Sequence, residues 1–217
     1  MIAFKLNKNG LVYYNQKDYN EALKFFNQAI KLNSSNVDAL LNRSLCAYHL
    51  GQFESALGSL EKAIELDPDL LKAHIYIGRS LYKLKKINKA FEHYDRLLEY
   101  NSESFALIYF YKALLLKSEK KYNEAIIYFG KSISKNIYVC EAYLNKSICR
   151  LELKDIENSL ADYKKAIDEP NLKVLLKYLN DIKKLEDLKN LNTNLEVKFS
   201  YLIFFILKIS NLFLFFF

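Results

Sequence analysis

Residues 19–30 read YNEALKFFNQAI, and related phrases return four more times at a nearly fixed spacing. The later phrases are FESALGSLEKAI (53–64), INKAFEHYDRLL (87–98), YNEAIIYFGKSI (122–133) and IENSLADYKKAI (156–167). Each carries a small residue at its fourth position, and the spacing is 34 or 35 residues between Ala22, Ala56, Ala90, Ala125 and Ser159. A period of this length is typical of a solenoid, whose repeats bury their apolar faces by stacking on one another.

The composition of the chain favours long helices joined by short connections. Only 5 Gly and 2 Pro occur in 217 residues, too few for a sandwich or barrel built on many tight turns. Apolar residues make up 51% of the chain, and 17 Tyr and 15 Phe supply rings that fill gaps between helices. The formal net charge is +7. Because basic and acidic residues alternate along the repeats, we expect no nucleic-acid partner.

Each repeat is predicted to contain two helices, and the second repeat shows this most clearly. Apolar residues recur at helical spacing over residues 37–50, and Gly51 ends that helix. A second helix is predicted from Phe53 to about Leu66, after which Pro68 closes the repeat.

Small residues are expected where the two helices of a repeat cross closely. They stand 12 positions before the markers, at Gly10, Ser44, Gly78, Ala113 and Ser147. A large side chain four positions after each marker is expected to fill the space beside the contact. These side chains are Phe26, Leu60, Tyr94, Phe129 and Tyr163.

This order of small, aromatic and alanine positions resembles the tetratricopeptide repeat. The first repeat carries it at Gly10, Tyr13, Ala22, Phe26 and Ala29, and the second at Ser44, Ala56, Leu60, Ala63 and Pro68. The resemblance covers residues 3–170 and implies an all-α, right-handed solenoid of antiparallel helix pairs with about five repeats. The predicted repeats are residues 3–36, 37–70, 71–104, 106–139 and 140–170.

The rest of the chain is predicted to hold a capping helix and an apolar tail. Residues 171–190 continue one apolar stripe without the alanine markers, as expected for a helix that covers the last face of a solenoid. Within the tail, 191–217, residues 199–217 would extend about 28 Å as a helix, close to the thickness of a bilayer core. Their apolar side chains favour insertion by about 6 kcal/mol, and Lys208 opposes it by about 3 kcal/mol. Two alternatives stay open: a membrane anchor, or a segment that packs on the repeats or has no fixed structure.

No residue pattern in the sequence points to catalysis. The 3 His residues form no HExxH or Ser-His-Asp arrangement, and no P-loop motif occurs. The three cysteines, Cys46, Cys140 and Cys149, include no CxxC pair, which argues against a disulfide framework or a zinc site. The absence of a disulfide framework also favours a reducing compartment. The sequence therefore predicts a cytoplasmic protein that is not an enzyme and has no cofactor and no metal site.

Some tetratricopeptide domains resemble one another in a clamp of basic and amide side chains that grips the C-terminal carboxylate of a chaperone. On this chain the clamp positions fall on Asn7, Leu11, Asn42, Lys72 and Tyr76. Leu11 and Tyr76 replace groups that the clamp chemistry needs. The resemblance therefore implies an incomplete clamp.

Family geometry instead implies a groove lined by the first helix of each repeat. The expected partner-binding residues are Leu11, Tyr14, Asn42, Leu45, Tyr48, Lys72, Tyr76, Arg79, Tyr111 and Asn145. Such a surface suits a peptide or helix with apolar anchors, and aromatic and Arg side chains are the usual hot spots. We therefore expect a non-catalytic scaffold that binds a protein or peptide partner. Two alternatives stay open: a membrane-tethered adaptor or assembly factor, and a co-chaperone that binds a chaperone C-terminus.

Overall fold

The computed structural model describes residues 2–101 and 103–168, and every regular element in these ranges is an α-helix. Within these ranges ten helices follow one another. They are α1 Ile2–Asn15, α2 Tyr19–Leu32, α3 Val37–His49, α4 Phe53–Leu66, α5 Leu71–Lys83, α6 Ile87–Asn101, α7 Leu107–Ser118, α8 Tyr122–Ser134, α9 Val139–Glu152 and α10 Ile156–Asp168. The predicted capping helix (171–190) and apolar tail (191–217) lie outside the described residues.

The chain divides into two compact units. The N-terminal unit, Met1–Ile137, contains α1 to α8, and the C-terminal unit begins at Tyr138 and contains α9 and α10. In the N-terminal unit each helix packs on the next, and the first helices α1, α3, α5 and α7 also contact one another in series. Packing between neighbours of this kind is what a solenoid requires. The predicted all-α solenoid of helix pairs is confirmed.

The helix pairs close at the small residues that the repeat pattern predicts. A Cβ atom at Gly10 would lie 2.6 Å from Phe26 Cε1, and one at Gly78 would lie within 3.0 Å of the Tyr94 ring. Phe26 and Tyr94 are both 0% exposed, so each ring fills the space that the glycine leaves. Tyr94 Oη also donates a hydrogen bond of 2.9 Å to the carbonyl of Ile75. The predicted pairing of a small residue with a large one is confirmed at these two crossings.

The repeat markers lie at the centre of the helix packing. All of them are fully buried: Ala22, Ala56, Ala90, Ala125 and Ser159. Ser159 Oγ donates a hydrogen bond of 2.9 Å to the carbonyl of Ser147 and lies 3.0 Å from Ser147 Oγ. Because the two hydroxyl groups meet each other across the crossing, serine is tolerated where the other repeats have alanine.

The turn between the paired helices contains one residue with left-handed backbone in every repeat. These residues have φ values between 58° and 77° and are Lys17, Gly51, Lys85, Lys120 and Lys154. Left-handed backbone costs an L-residue about 1–2 kcal/mol, which glycine avoids. After the first turn, Asp18 caps α2 by accepting the Glu21 N–H at 3.1 Å.

Candidate functional site

An aromatic cluster extends across the first helices of the N-terminal unit. Tyr14 Oη on α1 lies 3.2 Å from His49 Nε2 on α3, and the Tyr19 ring stacks on His49 with centroids 4.8 Å apart. The rings of Tyr48 on α3 and Tyr76 on α5 meet edge to face at 5.2 Å. These contacts join α1 to α3 and α3 to α5.

Arg79 of α5 packs against the rings of this cluster. Its Cζ lies 4.9 Å from the Tyr48 ring centroid and 4.8 Å from that of Tyr76. Cation–π contacts at such distances contribute about 0.5–2 kcal/mol each. Burial lowers the pKa of the guanidinium, and the neighbouring Tyr48 and Tyr76 hydroxyls, with Tyr111, raise that pKa by more. In the described part of the chain, no ion pair joins Arg79 to a carboxylate.

The charge of Arg79 influences residues on neighbouring helices. Burial is the main cause that raises the pKa of Tyr14 to about 12; Tyr76 and Tyr19 raise it further, and Arg79 opposes them. Burial and Arg79 both lower the pKa of His49 below its ordinary value of 6.5. His49 is therefore mainly neutral at pH 7. Arg79 is therefore the cation of this cluster at pH 7.

Five of the ten predicted groove residues meet in this group, which we name the aromatic–arginine cluster: Tyr14, Tyr48, Tyr76, Arg79 and Tyr111. All five are partly buried. Sequence reasoning did not include His49 and Tyr19 in the groove. Their aromatic character was the available signal, but only the fold brings residues 30 positions apart into a stack.

The other predicted groove residues lie elsewhere. Leu45 is 2% exposed and lies in the core of the N-terminal unit. Asn145 is 1% exposed in the C-terminal unit, where its Nδ2 donates to the carbonyl of Glu141 at 2.8 Å. Leu11 packs on the core of the first helix pair, and Lys72 is exposed on α5.

Four of the five clamp positions are engaged in internal contacts. Asn42 Nδ2 donates a hydrogen bond of 3.1 Å to Asn7 Oδ1. Leu11 is partly buried and packs against the core, and the Tyr76 ring lies against the Arg79 guanidinium. Lys72 is the exposed cation of the set.

Charge is segregated between the two kinds of helix in the N-terminal unit. The first helices α1, α3, α5 and α7 carry eight Lys or Arg residues and one acidic residue, Asp38. The second helices α2, α4, α6 and α8 carry six basic and eight acidic residues. The charges alternate along the sequence because the two kinds of helix alternate. Counting charges by helix type would have found the excess of basic residues on the first helices, which reading along the chain missed.

One of these cations, Lys112 of α7, belongs to a buried structural network. It forms an ion pair with Asp95 of α6 and donates a hydrogen bond of 2.8 Å to Tyr128 Oη of α8. Burial lowers the pKa of Lys112, and the bonds to Asp95 and Tyr128 raise that pKa by more. The network therefore ties three helices together.

Two histidines form a second buried polar contact, between α5 and α6. His74 Nε2 donates to the carbonyl of Pro68 at 2.7 Å, which leaves its Nδ1 to accept the N–H of His93 Nε2 at 3.3 Å. The ring of Phe105 covers His74 edge to face, with centroids 5.4 Å apart. Burial, and next the neighbouring His74, lower the pKa of His93 to about 4. His93 is therefore neutral at pH 7.

The described residues contain no grouping that suits a metal ion. Over 2–101 and 103–168, no three or more His, Cys, Asp or Glu side chains are placed to hold one. The thiols of Cys46, Cys140 and Cys149 are buried, and burial raises the pKa of Cys46 to about 12. None of α1 to α10 has the length and apolar character that crossing a bilayer requires.

Comparison with known proteins identifies the family of this helical array. Three family models, all described as tetratricopeptide repeat, match residues 7–70, 72–104 and 141–169. Together they cover more than half of the chain. The chain belongs to the tetratricopeptide repeat family, as the resemblance in its sequence implied.

Similar proteins include two curated relatives and a solved structure. The chain is 33% identical over 103 residues to Hsp70-Hsp90 organizing protein 3 of Arabidopsis thaliana, covering 48% of this chain and 18% of the relative. It is 40% identical over 88 residues to Protein STIP1 homolog of Dictyostelium discoideum, covering 41% and 16%. The match thus spans less than a fifth of either relative. The crystal structure of a tetratricopeptide repeat protein from Parabacteroides merdae superposes with a TM-score of 0.65 at 23% identity, covering 85% of this chain and 78% of that one. This structural similarity shows a shared fold and nothing more.

Proposed function

We propose that this chain is a non-catalytic scaffold that binds a peptide or helix of a partner protein on its first-helix face, the surface that α1, α3, α5 and α7 form around the aromatic–arginine cluster. The cluster is the observation that carries the proposal. Tyrosine and arginine are, with tryptophan, the residues enriched at the energetic centres of protein interfaces. Helical repeat proteins present extended surfaces of this kind to their partners.

Partial exposure separates the cluster from the hydrophobic core. The rings of Phe26 and Tyr94 are 0% exposed and complete a helix pair, whereas Tyr48, Tyr76 and Arg79 keep part of their surface in water. A tyrosine whose ring is already packed has few conformations left to lose on binding. The cluster is therefore suited to anchor a partner without rearrangement of the fold.

Photo-crosslinking tests this proposal with a matched pair of positions. Benzoylphenylalanine replaces Tyr111 on the first helix α7 in one variant and Ile127 on the second helix α8 in the other; Ile127 is 57% exposed. After irradiation in cells, the variant at position 111 should give discrete covalent adducts and the variant at 127 should not. Equal adducts at the two positions would contradict a binding face on the first helices.

A second candidate is a co-chaperone that binds the C-terminus of a chaperone. The names of the two relatives favour this candidate. A clamp for a terminal carboxylate is disfavoured because Asn42 is bonded to Asn7 and because Leu11 and Tyr76 replace polar groups that the clamp needs. A clamp prefers a free C-terminal carboxylate to its neutral amide. The test is to titrate the chain with one acidic heptapeptide, once with a free C-terminal carboxylate and once with a C-terminal amide. Equal affinities for the two forms would exclude a clamp.

Attachment to a membrane is a separate proposal, and it rests on the composition of residues 199–217. These contain 14 Phe, Leu and Ile residues around Lys208. Carbonate extraction of the full chain beside a version ending at Lys198 tests it. An anchor requires that the full chain alone stays with the membrane pellet. If both versions are extracted, the tethered-adaptor alternative is rejected.

A further inference from the structure

We propose that the partner segment is acidic and that one of its glutamate or aspartate side chains places its carboxylate against Arg79. This inference rests on the proposed function and adds the chemistry of the partner. It concerns an internal side chain of the partner rather than its C-terminus.

The surroundings of Arg79 favour a carboxylate ligand. Two rings hold the guanidinium, with its Cζ 4.9 Å from the Tyr48 centroid and 4.8 Å from that of Tyr76. The planar guanidinium can offer two N–H groups to one carboxylate in a fixed geometry. The surrounding rings keep the guanidinium charged, and in the described part of the chain Arg79 has no carboxylate ion pair. A partner carboxylate would supply the opposite charge that the chain itself does not place there.

The charge of the whole first-helix face points the same way. Leaving aside Lys112, which is buried and paired with Asp95, its four helices carry seven basic residues against a single acidic one, while the second helices of the same unit carry more acidic than basic residues. A surface with one sign of charge steers an oppositely charged partner and repels others. Lys72 and Lys83 flank Arg79 on α5, so an acidic segment would meet several cations on one helix.

The ring geometry favours an acidic protein over a nucleic acid. A nucleic-acid strand binds by stacking its bases on open faces of successive aromatic rings. Here Tyr48 and Tyr76 each turn a face to Arg79 and meet each other edge to face, and Tyr19 stacks on His49. The faces of these rings are therefore occupied by Arg79 and by other rings, rather than open for bases to stack on.

Two pools of synthetic peptides test the inference on the full chain. Both pools consist of fluorescein-labelled twelve-residue peptides, acetylated and C-terminally amidated, with random Ala, Leu and Tyr positions. One pool carries Glu at four fixed internal positions and the other carries Gln there. We expect the Glu pool to bind at least tenfold more tightly by fluorescence anisotropy. Equal binding of the two pools, or binding by neither, would overturn the inference.

Matched variants assign the preference to Arg79. Arg79→Gln should lower the ratio of the two affinities severalfold, leaving only the part that Lys72 and Lys83 supply, and Arg79→Lys should lower it less, because a lysine keeps the charge but not the planar fork. Arg96→Gln on α6 makes the same change at an exposed arginine of a second helix and should leave the ratio unchanged. If Arg96→Gln lowers the ratio as much as Arg79→Gln, overall charge rather than this site explains the preference. Circular dichroism of each variant verifies that it is folded.

The remaining outcomes separate this inference from the proposed function. If a twelve-residue oligothymidylate binds the chain more tightly than the Glu pool, the face is specific for nucleic acid and the inference fails. If the crosslink at position 111 forms but the peptide pools bind equally, the scaffold proposal stands and only the acidic partner is rejected. If the crosslink shows no preference for position 111, the proposed function itself fails.

Discussion

Replacing Gly78 by alanine should destabilise the chain, although alanine is the better helix former. The new Cβ would lie within 3.0 Å of Cε1, Cζ and Oη of Tyr94, a ring that is 0% exposed and donates a hydrogen bond to Ile75. Overpacking of a core costs about 1–3 kcal/mol, and disturbing the hydrogen bond adds about 1 kcal/mol. Alanine recovers about 1 kcal/mol of helix propensity. We expect a net loss of about 2 kcal/mol.

Thermal unfolding followed by circular dichroism measures this loss, with Gly58→Ala as the matched control. For a chain of this size the midpoint should fall by about 4–8 °C in Gly78→Ala. A Cβ at Gly58, on the exposed side of α4, meets no atom within 4 Å. That variant should gain up to about 1 kcal/mol from helix propensity alone. A Gly78→Ala chain as stable as the original would refute the close crossing of α5 and α6.

A second substitution tests whether Tyr94 is the cause. In the second repeat the same crossing combines Ser44 with Leu60, a shorter partner without a ring. In a Tyr94→Leu background, Gly78→Ala should therefore cost less than in the original chain. Residues in direct contact show such coupling, whereas independent sites add. Equal costs in the two backgrounds would place the clash elsewhere.

Three further predictions concern the acid response, a helix cap and a turn. Because burial and the neighbouring His74 lower the pKa of His93 to about 4 in the folded state, the neutral ring contributes stability that is complete above pH 6.5. We expect about 3 kcal/mol of it to be lost as the pH falls from 6.5 to 4. In urea titrations at successive pH values, His93→Gln should make the free energy of unfolding depend less on pH between 6.5 and 4. Asp18→Ala removes the bond to the Glu21 N–H and should cost about 1 kcal/mol in urea unfolding, whereas Asp18→Asn should cost less. Lys85→Gly relieves a φ of 62° and should raise the thermal midpoint by the equivalent of about 0.5–1 kcal/mol; an unchanged or lower midpoint would show that the lysine side chain compensates for its backbone.

The helix positions were predictable because the repeat pattern and the local signals agree. The helix predicted from Phe53 to about Leu66 is α4, and the preceding one ends at His49, just before Gly51. The left-handed lysines were not predictable, since only Gly51 carries the usual residue for that conformation. Lysine adopts it in the other repeats because the packing of two helices fixes the path of the short turn between them, and tertiary packing overrides local preference there.

The sequence predicted which helices carry the candidate site, but not which of its side chains are buried and which reach the surface. Leu45 and Tyr48 lie three residues apart and share one side of α3, yet Leu45 is 2% exposed and Tyr48 is only partly buried. A helical period assigns a residue to a side of its helix. Whether that side chain reaches the surface depends on neighbouring helices that lie about 34 residues away in the sequence. For the same reason, the role of Arg79 could be read only after Tyr48 and Tyr76 were placed on either side of it.

Gly78 and Arg79 are adjacent in the sequence, and they separate the fold from the proposed function. Gly78 faces α6 and admits the Tyr94 ring, whereas Arg79 reaches Tyr48 on α3 and has no carboxylate partner among the described residues. Arg79→Gln loses two cation–π contacts but also removes the cost of a half-buried charge, so these two terms oppose each other. Its thermal midpoint should therefore change far less than that of Gly78→Ala, while most of its preference for acidic peptides is lost. If the two variants lost equal stability, Arg79 would be a structural residue like Gly78, and the cluster would no longer supply an anchor for a partner.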